Sequence, residues 1–412
     1  MVDYQDTHPR GTLSHLKAPL AALAAALAFA SCASHAETAG NPIRIGALVS
    51  LTGGGATSGF SGLTGAKMAI QEINATGGVK GRMLELVVAD DQSDPTAAVN
   101  EARRLANSQK VDFVYGPLSS QLTLASVPVL RDAKIPQVFT SGSSLLTPAF
   151  TPLGFSMNPS AEDQANLMVE QIKTFGGKKV GILIDNGAQT KSGLEYIKSY
   201  LSQDGITIAA EQEFPFRSED KTPQLLSLKG AGADSLIIWA NTVDDMATIL
   251  NNEQDIGWQV NISGAIAQTM FAQPVTKLVP KEYLGRIASV AYRGWTYCPG
   301  DKVDDLPYVQ FKKRLAAFET ARAKDLAPTI AAWGYDAVYL YKAAVESGAQ
   351  SGPEIAAWIE KNSASVPAVS GKLDGVGPNS HFLVGIGGMT LVDHLGEPGP
   401  EGLFPRTDCT KK

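Results

Sequence analysis

Short, continuously apolar runs alternate along this chain with stretches whose apolar residues recur every three to four positions. Ile43 to Val49 is the first run and predicts a strand. In Gly65 to Asn74, Ala66, Ala69, Ile70 and Ile73 fall on one helical face, and Gly77-Gly78 closes that helix. Leu84 to Ala89 predicts the next strand. Asp94-Pro95 then reads as an N-cap followed by proline at the first helical position. The helix behind it presents Ala98, Val99, Ala102, Leu105 and Ala106. A strand at Val111 to Tyr115 stops at Gly116, and a helix over 120–133 leads to a strand at Gln137 to Phe139.

The pattern starts again after the Asn158-Pro159 break. Val180 to Ile184, Ile206 to Ala210, Ser235 to Trp239 and Val260 to Ser263 predict strands, with helices over 191–203, 222–229 and 244–254 between them. Residues 307–325, 329–347 and 353–361 read as helical, and the tail after 370 is rich in Gly and Pro. Strands that are apolar on both faces, separated by amphipathic helices, imply parallel sheets covered on both sides. Two such series predict an α/β chain of two doubly wound lobes.

The first 36 residues do not fit this scheme. Arg10 and Lys17 precede an apolar run from Ala18 to Ala30, too short for the about 20 residues a bilayer span needs. Ser34-His35-Ala36 is a small-x-small cleavage site before Glu37-Thr38, so residues 1–36 read as a signal peptide and the mature chain as periplasmic. Phe29-Ala30-Ser31-Cys32 supports a second reading, a lipoprotein tethered through Cys32. Removal of residues 1–36 leaves His381, His394, Cys298 and Cys409. Two cysteines in an oxidising compartment point to one disulfide, with two free buried thiols as the alternative.

Composition narrows the function. The chain has 412 residues, 18% of them charged, and a net charge of -6. That acidic balance, without a dense Lys/Arg patch, argues against nucleic acid as a partner. Enzyme motifs fail one by one. Gly53-Gly54-Gly55 continues as Ala56-Thr57-Ser58, which is not a dinucleotide fingerprint. Gly371-Lys372 is followed by Leu373, and Gly59-Phe60-Ser61-Gly62 lacks the spacing of a nucleophile elbow. His381 and His394 read as surface histidines of the tail, and Asp90-Asp91 as loop-tying carboxylates at a strand end. No catalytic activity, metal or cofactor is expected.

What remains is small polar chemistry at strand ends. Gly116-Pro117-Leu118-Ser119-Ser120 follows one strand and opens a helix, and Ser141-Gly142-Ser143-Ser144 follows another. Ligands of doubly wound sheets sit at the carboxyl ends of strands. Backbone N–H groups at a helix start and serine hydroxyls together can hold a carboxylate without Arg or Lys. Plain helix caps would use the same residues.

Longer motifs carry a resemblance. Thr64-Gly65-Ala66, Ile73-Asn74-Ala75-Thr76-Gly77-Gly78-Val79-Lys80-Gly81, Asp90-Asp91-Gln92-Ser93-Asp94-Pro95-Thr96-Ala97-Ala98-Val99 and Gly116-Pro117-Leu118-Ser119-Ser120 resemble exported leucine/isoleucine/valine-binding proteins of the type I periplasmic binding-protein family. The likeness covers roughly residues 43–290 well and the remainder loosely. It implies lobe one at 41–159 and 293–372, and lobe two at 160–292 and 373–412. The crossings would lie near Asn158-Pro159, Ala291-Tyr292 and Gly371-Lys372. It also implies a monomer that closes on a small carboxylate ligand and delivers it to an inner-membrane ABC permease. By likeness, Ser120 binds the ligand carboxylate with Gly142, Ser143 and Ser144, Ser58 to Phe60 supply a first-loop contact, and Thr190 falls in the second-lobe loop.

One departure bears on the ligand. Amino-acid binders of the family carry a Glu after the Val260–Ser263 strand to pair with the ligand ammonium, whereas this chain reads Gly264-Ala265-Ile266-Ala267. Leaving a buried ammonium without a carboxylate costs about several kcal/mol. Asp244 or Asp245 is the candidate substitute. Without one, Trp239, Phe60, Ile266 and Tyr292 suggest an apolar pocket for an aromatic or aliphatic acid or amide, although Trp239 also fits ordinary core. A periplasmic ligand sensor of the same fold is the functional alternative to transport. The loops at Ser93 and Ser119, disulfide-bonded in some relatives, are both serine here, so a cross-link would involve Cys298 and Cys409.

Overall fold

A computed structural model describes residues 40–409. Residues 1–36, which the sequence reads as a signal peptide, and with them Cys32, lie outside the described residues. Internal contacts divide the chain at Asn41–Pro42, and the fold is that of the unit beginning at Pro42.

The first series is β1 (Ile43–Val49), α1 (Ala56–Ala75), β2 (Leu84–Asp90), α2 (Pro95–Arg103), β3 (Phe113–Tyr115), α3 (Ser120–Asp132), β4 (Gln137–Phe139) and β5 (Gly154–Ser156). Its five strands form a parallel sheet in the order β2-β1-β3-β4-β5. The alternation within β1 explains both faces. Ile43, Ile45, Ala47 and Val49 join a cluster with Ala66, Ala69 and Ile73 of α1, while Leu48 turns to Ala102, Leu105 and Leu130 on the other side. The Asp94 carboxylate accepts from Ala97 N at 2.8 Å, so the capping signal before α2 works as written.

The second series is α4 (Ala161–Phe175), β6 (Lys179–Asp185), α5 (Ala188–Gln203), β7 (Thr207–Phe214), α6 (Thr222–Gly230), β8 (Ser235–Trp239), α7 (Val243–Asp255), β9 (Asn261–Gly264), α8 (Ile266–Val275), β10 (Ile287–Tyr292) and β11 (Thr296–Tyr297). Then come α9 (Pro307–Phe318), α10 (Pro328–Glu346), α11 (Gly352–Asn362), β12 (Met389–Val392) and β13 (Phe404–Pro405). The second sheet runs β12-β10-β9-β8-β6-β7. β12 pairs antiparallel with β10, so this sheet is mixed and not wholly parallel as the sequence pattern predicts. Val180, Ile182 and Ile184 of β6 face Met168, Ile172, Ile197 and Leu201 of α4 and α5, and Leu183 faces Leu225 and Leu228 of α6. The Gly/Pro-rich tail also supplies β13, which lies parallel to β11.

The chain passes between the sheets after β5, after β10 and after α11, and the three passages are tied together. The Tyr292 hydroxyl donates to the Met157 carbonyl. Ser156 N donates to His381 O, and Leu383 N returns to Ser156 O, both at 2.8 Å. The Asp336 carboxylate of α10 accepts from Val369 N at 2.8 Å and Ser370 N at 2.9 Å. Burial pushes that carboxyl up to about 6 against the pull of these bonds. His381 is not the surface histidine the tail's composition suggests. It is buried, its Nδ1 lies 2.9 Å from Thr151 O, and its ring packs on Phe155.

The α1–α10 crossing depends on glycine. A Cβ on Gly65 would stand 1.8 Å from Ala331 O, and one on Gly334 would stand 2.1 Å from Gly62 O. Backbone is in the way on both sides, so neither contact is relieved by a rotamer change. Gly65→Ala gains about 1 kcal/mol of helix propensity but forces the helices apart. The expected net loss is about 1–3 kcal/mol in urea unfolding. A more stable variant would mean the helices separate freely.

Candidate functional site

The carboxyl ends of the strands in the first sheet hold a set of small polar loops. After β3, Ser119 caps α3, accepting from Leu122 N at 3.4 Å, which places Ser120 in the first turn. Ser141, after β4, donates its hydroxyl to Ser120 Oγ at 2.7 Å. Ser141 N donates to Ser156 Oγ at 3.1 Å, and Ser156 Oγ donates back to Ser141 O at 2.7 Å. The loop that follows is therefore pinned to the neighbouring strand. Ser120 is 8% exposed, Gly142 and Ser143 are buried, and Ser144 is exposed at the far side of the loop. The structure thus gathers Ser120, Gly142 and Ser143 and leaves Ser144 outside the cluster.

The loop after β1 is braced by the acidic pair. Asp90 accepts from Leu51 N at 2.8 Å and from Thr52 Oγ1 at 2.9 Å, and Asp91 accepts from Ser50 Oγ and Ser93 N. Burial pushes the Asp91 carboxyl up from its ordinary value, opposed by the Ser50 bond. Ser93 Oγ accepts from Gly55 N at 2.9 Å. Ser58 and Phe60 follow in α1, both half-buried, with the Arg322 guanidinium 3.7 Å above the Phe60 ring.

The opposing wall comes from the second sheet. Asn158 Nδ2 donates to Gln189 Oε1 at 3.0 Å, and Gly142 lies against the same Gln189 amide. Ser143 Oγ is 3.5 Å from Ser192 Oγ of α5. Ala161 N of α4 donates to Gly142 O at 2.9 Å. Higher up the seam, Arg217 Nη2 donates to Gly54 O at 2.8 Å. The sequence marks Asn158 only as part of the break before Pro159 and Gln189 only as the neighbour of Thr190 in the second-lobe loop, while Ser192 and Arg217 carry no signal that singles them out.

Other sequence-selected residues are committed within their own side. Thr190 is buried and donates to Asp185 Oδ1 at 2.8 Å, closing the turn that starts α5. Asp185 also accepts from Gly187 N, Asn241 N and Asn241 Nδ2 at 2.9–3.0 Å. Burial raises its carboxyl above the ordinary value, with those bonds pulling the other way. Trp239 is fully buried with its ring against Gly193 of α5, and its Nε1 has no protein partner. Ile266 is buried too, and its backbone N donates to Gln164 Oε1 at 3.1 Å. Ala265 precedes it with no acidic side chain in the adjoining turn. Asp244 is exposed in the first turn of α7. Asp245 is fully buried and paired with the equally buried Lys221 at 2.8 Å.

Cys298 and Cys409 form a disulfide with their Cα atoms 5.4 Å apart. Beside it Arg293 pairs with Asp408, and Arg406 Nη2 reaches the Cys298 sulfur at 3.0 Å. Among the described residues, no group of three or more His, Cys, Asp or Glu is placed to hold a metal ion. No described helix is long and apolar enough to cross a membrane.

Comparison with known proteins gives a consistent picture. A family model described as "Periplasmic binding protein" matches residues 42–387. The chain is 28% identical over 247 residues to the Leu/Ile/Val-binding protein homolog 7 of Brucella suis biovar 1. That match takes in 57% of this chain and 61% of the relative, so the chain spans about three fifths of the length of that relative. Among solved structures, the branched-chain amino acid transporter substrate binding protein LivJ from Streptococcus pneumoniae, in complex with isoleucine, superposes with a TM-score of 0.72 at 22% identity, covering 86% of this chain and 97% of that one. A periplasmic binding protein type 1 from Bordetella pertussis superposes with a TM-score of 0.73 at 19% identity, covering 85% and 96%.

Proposed function

Because the chain belongs to the periplasmic binding protein family, we propose that it is the exported solute-binding component of an ABC importer, taking a branched-chain amino acid or another small carboxylate between two lobes. Lobe one is taken as 41–159 and 293–372 and lobe two as 160–292 and 373–412, with residues 381–383 of the third passage still lying along β5 of lobe one. The observation that carries this reading is the seam in which Gly142 and Ser143, in the loop bonded to Ser120 through Ser141, face Gln189 and Ser192 of the other sheet's side. These are neutral donors at strand ends, the chemistry that suits a carboxylate in a doubly wound fold.

The mechanism follows from that placement. Ser141 already donates to Ser120 Oγ, so the Ser120 hydroxyl hydrogen is free to turn toward a ligand oxygen. The first turn of α3 adds backbone N–H groups and the positive end of its dipole. Hinge motion at the three tied passages brings α5 over the ligand body. The solute shifts the balance only because it binds the closed form more tightly than the open one. The closed form then docks on an inner-membrane permease.

A second reading concerns ligand chemistry. The turn after β9 carries no carboxylate, Asp185 is bonded on both oxygens, and Asp245 is taken by Lys221. That favours an aromatic or aliphatic acid, or an amide, over an amino acid, because an ammonium ion would lack a charged partner. Asp244, in the first turn of α7, is exposed. Thermal-shift screening of leucine, isoleucine and valine against benzoate and short fatty acids separates the two. Leucine raising the melting temperature while the amine-free acids do not would remove the second reading. For whichever carboxylate binds, Ser120→Ala is expected to weaken affinity about tenfold by titration calorimetry, the value of one charge-assisted hydrogen bond. Unchanged affinity would place the ligand elsewhere.

A further inference from the structure

We infer that Arg217 is a positioning residue for closure, a clasp that holds the two lobes together by gripping the backbone of the glycine loop after β1. The inference rests on the two-lobed binding reading above. The bond itself is between protein atoms alone, Arg217 Nη2 to Gly54 O at 2.8 Å, and it joins positions 163 residues apart. It therefore operates whether or not a solute is added.

Both ends of the clasp are anchored by their own lobe. On the second-lobe side, Arg217 sits at φ +57, a left-handed conformation that a long side chain rarely adopts. Its backbone N is held by Asp245, at 2.9 Å to one carboxylate oxygen and 3.2 Å to the other. Asp245 is itself fixed by Lys221 Nζ at 2.8 Å and by Thr242 Oγ1 at 2.6 Å. Lys221 Nζ also donates to Ser218 O, which closes the 217–221 loop around a buried ion pair. A buried ion pair is an expensive way to shape a surface loop, and what this one does is hold the backbone of the residue whose side chain crosses the seam.

On the first-lobe side, the Gly53–Gly55 loop is fastened by Ser93, which accepts from Gly55 N at 2.9 Å and donates to Thr52 O at 2.9 Å. Gly54 offers a carbonyl and no side chain, and a Cβ there would stand 3.4 Å from Arg217 Nη1. A backbone acceptor cannot be lost by substitution, and only an arginine combines this reach with a planar fork of donors. Because both ends are fixed, parting the lobes by a few ångströms breaks the bond outright. The clasp thus adds to the closed form and nothing to the open one, which is the condition for shifting a two-state balance.

The test begins without solute. Small-angle scattering of wild type, Arg217→Ala, Arg217→Met and Arg217→Lys is expected to show a larger radius of gyration for the alanine and methionine variants, with lysine between them and wild type. Far-UV circular dichroism and the thermal midpoint show that each variant is folded. Curves from folded alanine and methionine variants that superpose on wild type would overturn the clasp. The second arm uses L-leucine as the probe. Its dissociation from Arg217→Ala is expected to be about fivefold faster, the scale of one partly exposed hydrogen bond, with association changed less than dissociation. An unchanged dissociation rate also counts against the clasp. If L-leucine does not bind wild type, the amino-acid reading fails, and the scattering arm still decides the clasp.

Discussion

Lys221→Met is expected to lower the unfolding free energy by about 3–5 kcal/mol, the cost of leaving one member of a buried ion pair behind. Lys221 and Asp245 have no exposed side-chain surface and meet at 2.8 Å. The ammonium also lies 5.3 Å from the Phe214 ring centroid and donates to Ser218 O. Methionine fills the volume but returns none of these interactions, so the Asp245 charge is left in a dry site with only Thr242 and Arg217 N as donors. Urea unfolding followed by circular dichroism measures the loss as a shift in midpoint at unchanged slope. A loss below about 1 kcal/mol, the range of surface ion pairs, would mean that the pair is solvated in solution. The double variant Lys221→Met with Asp245→Leu is expected to recover part of the loss, since no buried charge remains. Recovery stays partial because Asp245 also holds the 217 loop.

Cys298→Ser with Cys409→Ser is expected to cost about 2–5 kcal/mol, and reduction of the wild type should cost the same. The two cysteines are 111 residues apart in sequence, so the bond closes a long loop that includes α9, α10, α11 and β12. Constraint of the unfolded chain grows with loop length, and a loop of about 100 residues sits near the top of the usual range. The same bond fixes β13 beside β11, next to the Arg293–Asp408 pair and the second passage between the sheets. Loss of the bridge should therefore lower the urea midpoint of the whole unit. A fall confined to proteolysis of the last residues, with the midpoint unmoved, would make the bridge a local fastening of the tail.

Much of the fold is legible from local pattern. β1, β2, β4, β6 and β8 lie where continuous apolar runs place them, because a strand covered on both faces writes its burial into consecutive residues. Three kinds of element escaped. β5 has three residues, too few for a periodic signal. α8 carries Gln268, Thr269 and an internal Pro274, and β10 has six residues, so neither shows a clear period. β12 sits in a Gly/Pro-rich tail and becomes a strand only because the edge of β10 is there to pair with it. α4 was detectable in principle, since Ser160 accepts from Asp163 N and Ala165, Met168, Val169 and Ile172 share a buried face.

The site divides in the same way. Motif and strand position pointed to Ser120, Gly142 and Ser143, which the structure places together through Ser141. Phe60, Ser144 and Asp244 came from the same kind of reading, and the structure puts Phe60 under Arg322 and the other two in solvent.

By itself the sequence determined the alternation of strands and helices, the two series and the family, because hydrophobic periodicity and capping are properties of neighbouring residues. Only the tertiary structure decided which polar groups are already spent. Asp185 finds Asn241, Asp245 finds Lys221, and Arg217 finds Gly54, at separations from 24 to 163 residues. A buried charge or donor must be matched by whatever the fold brings beside it, and no local pattern records that partner.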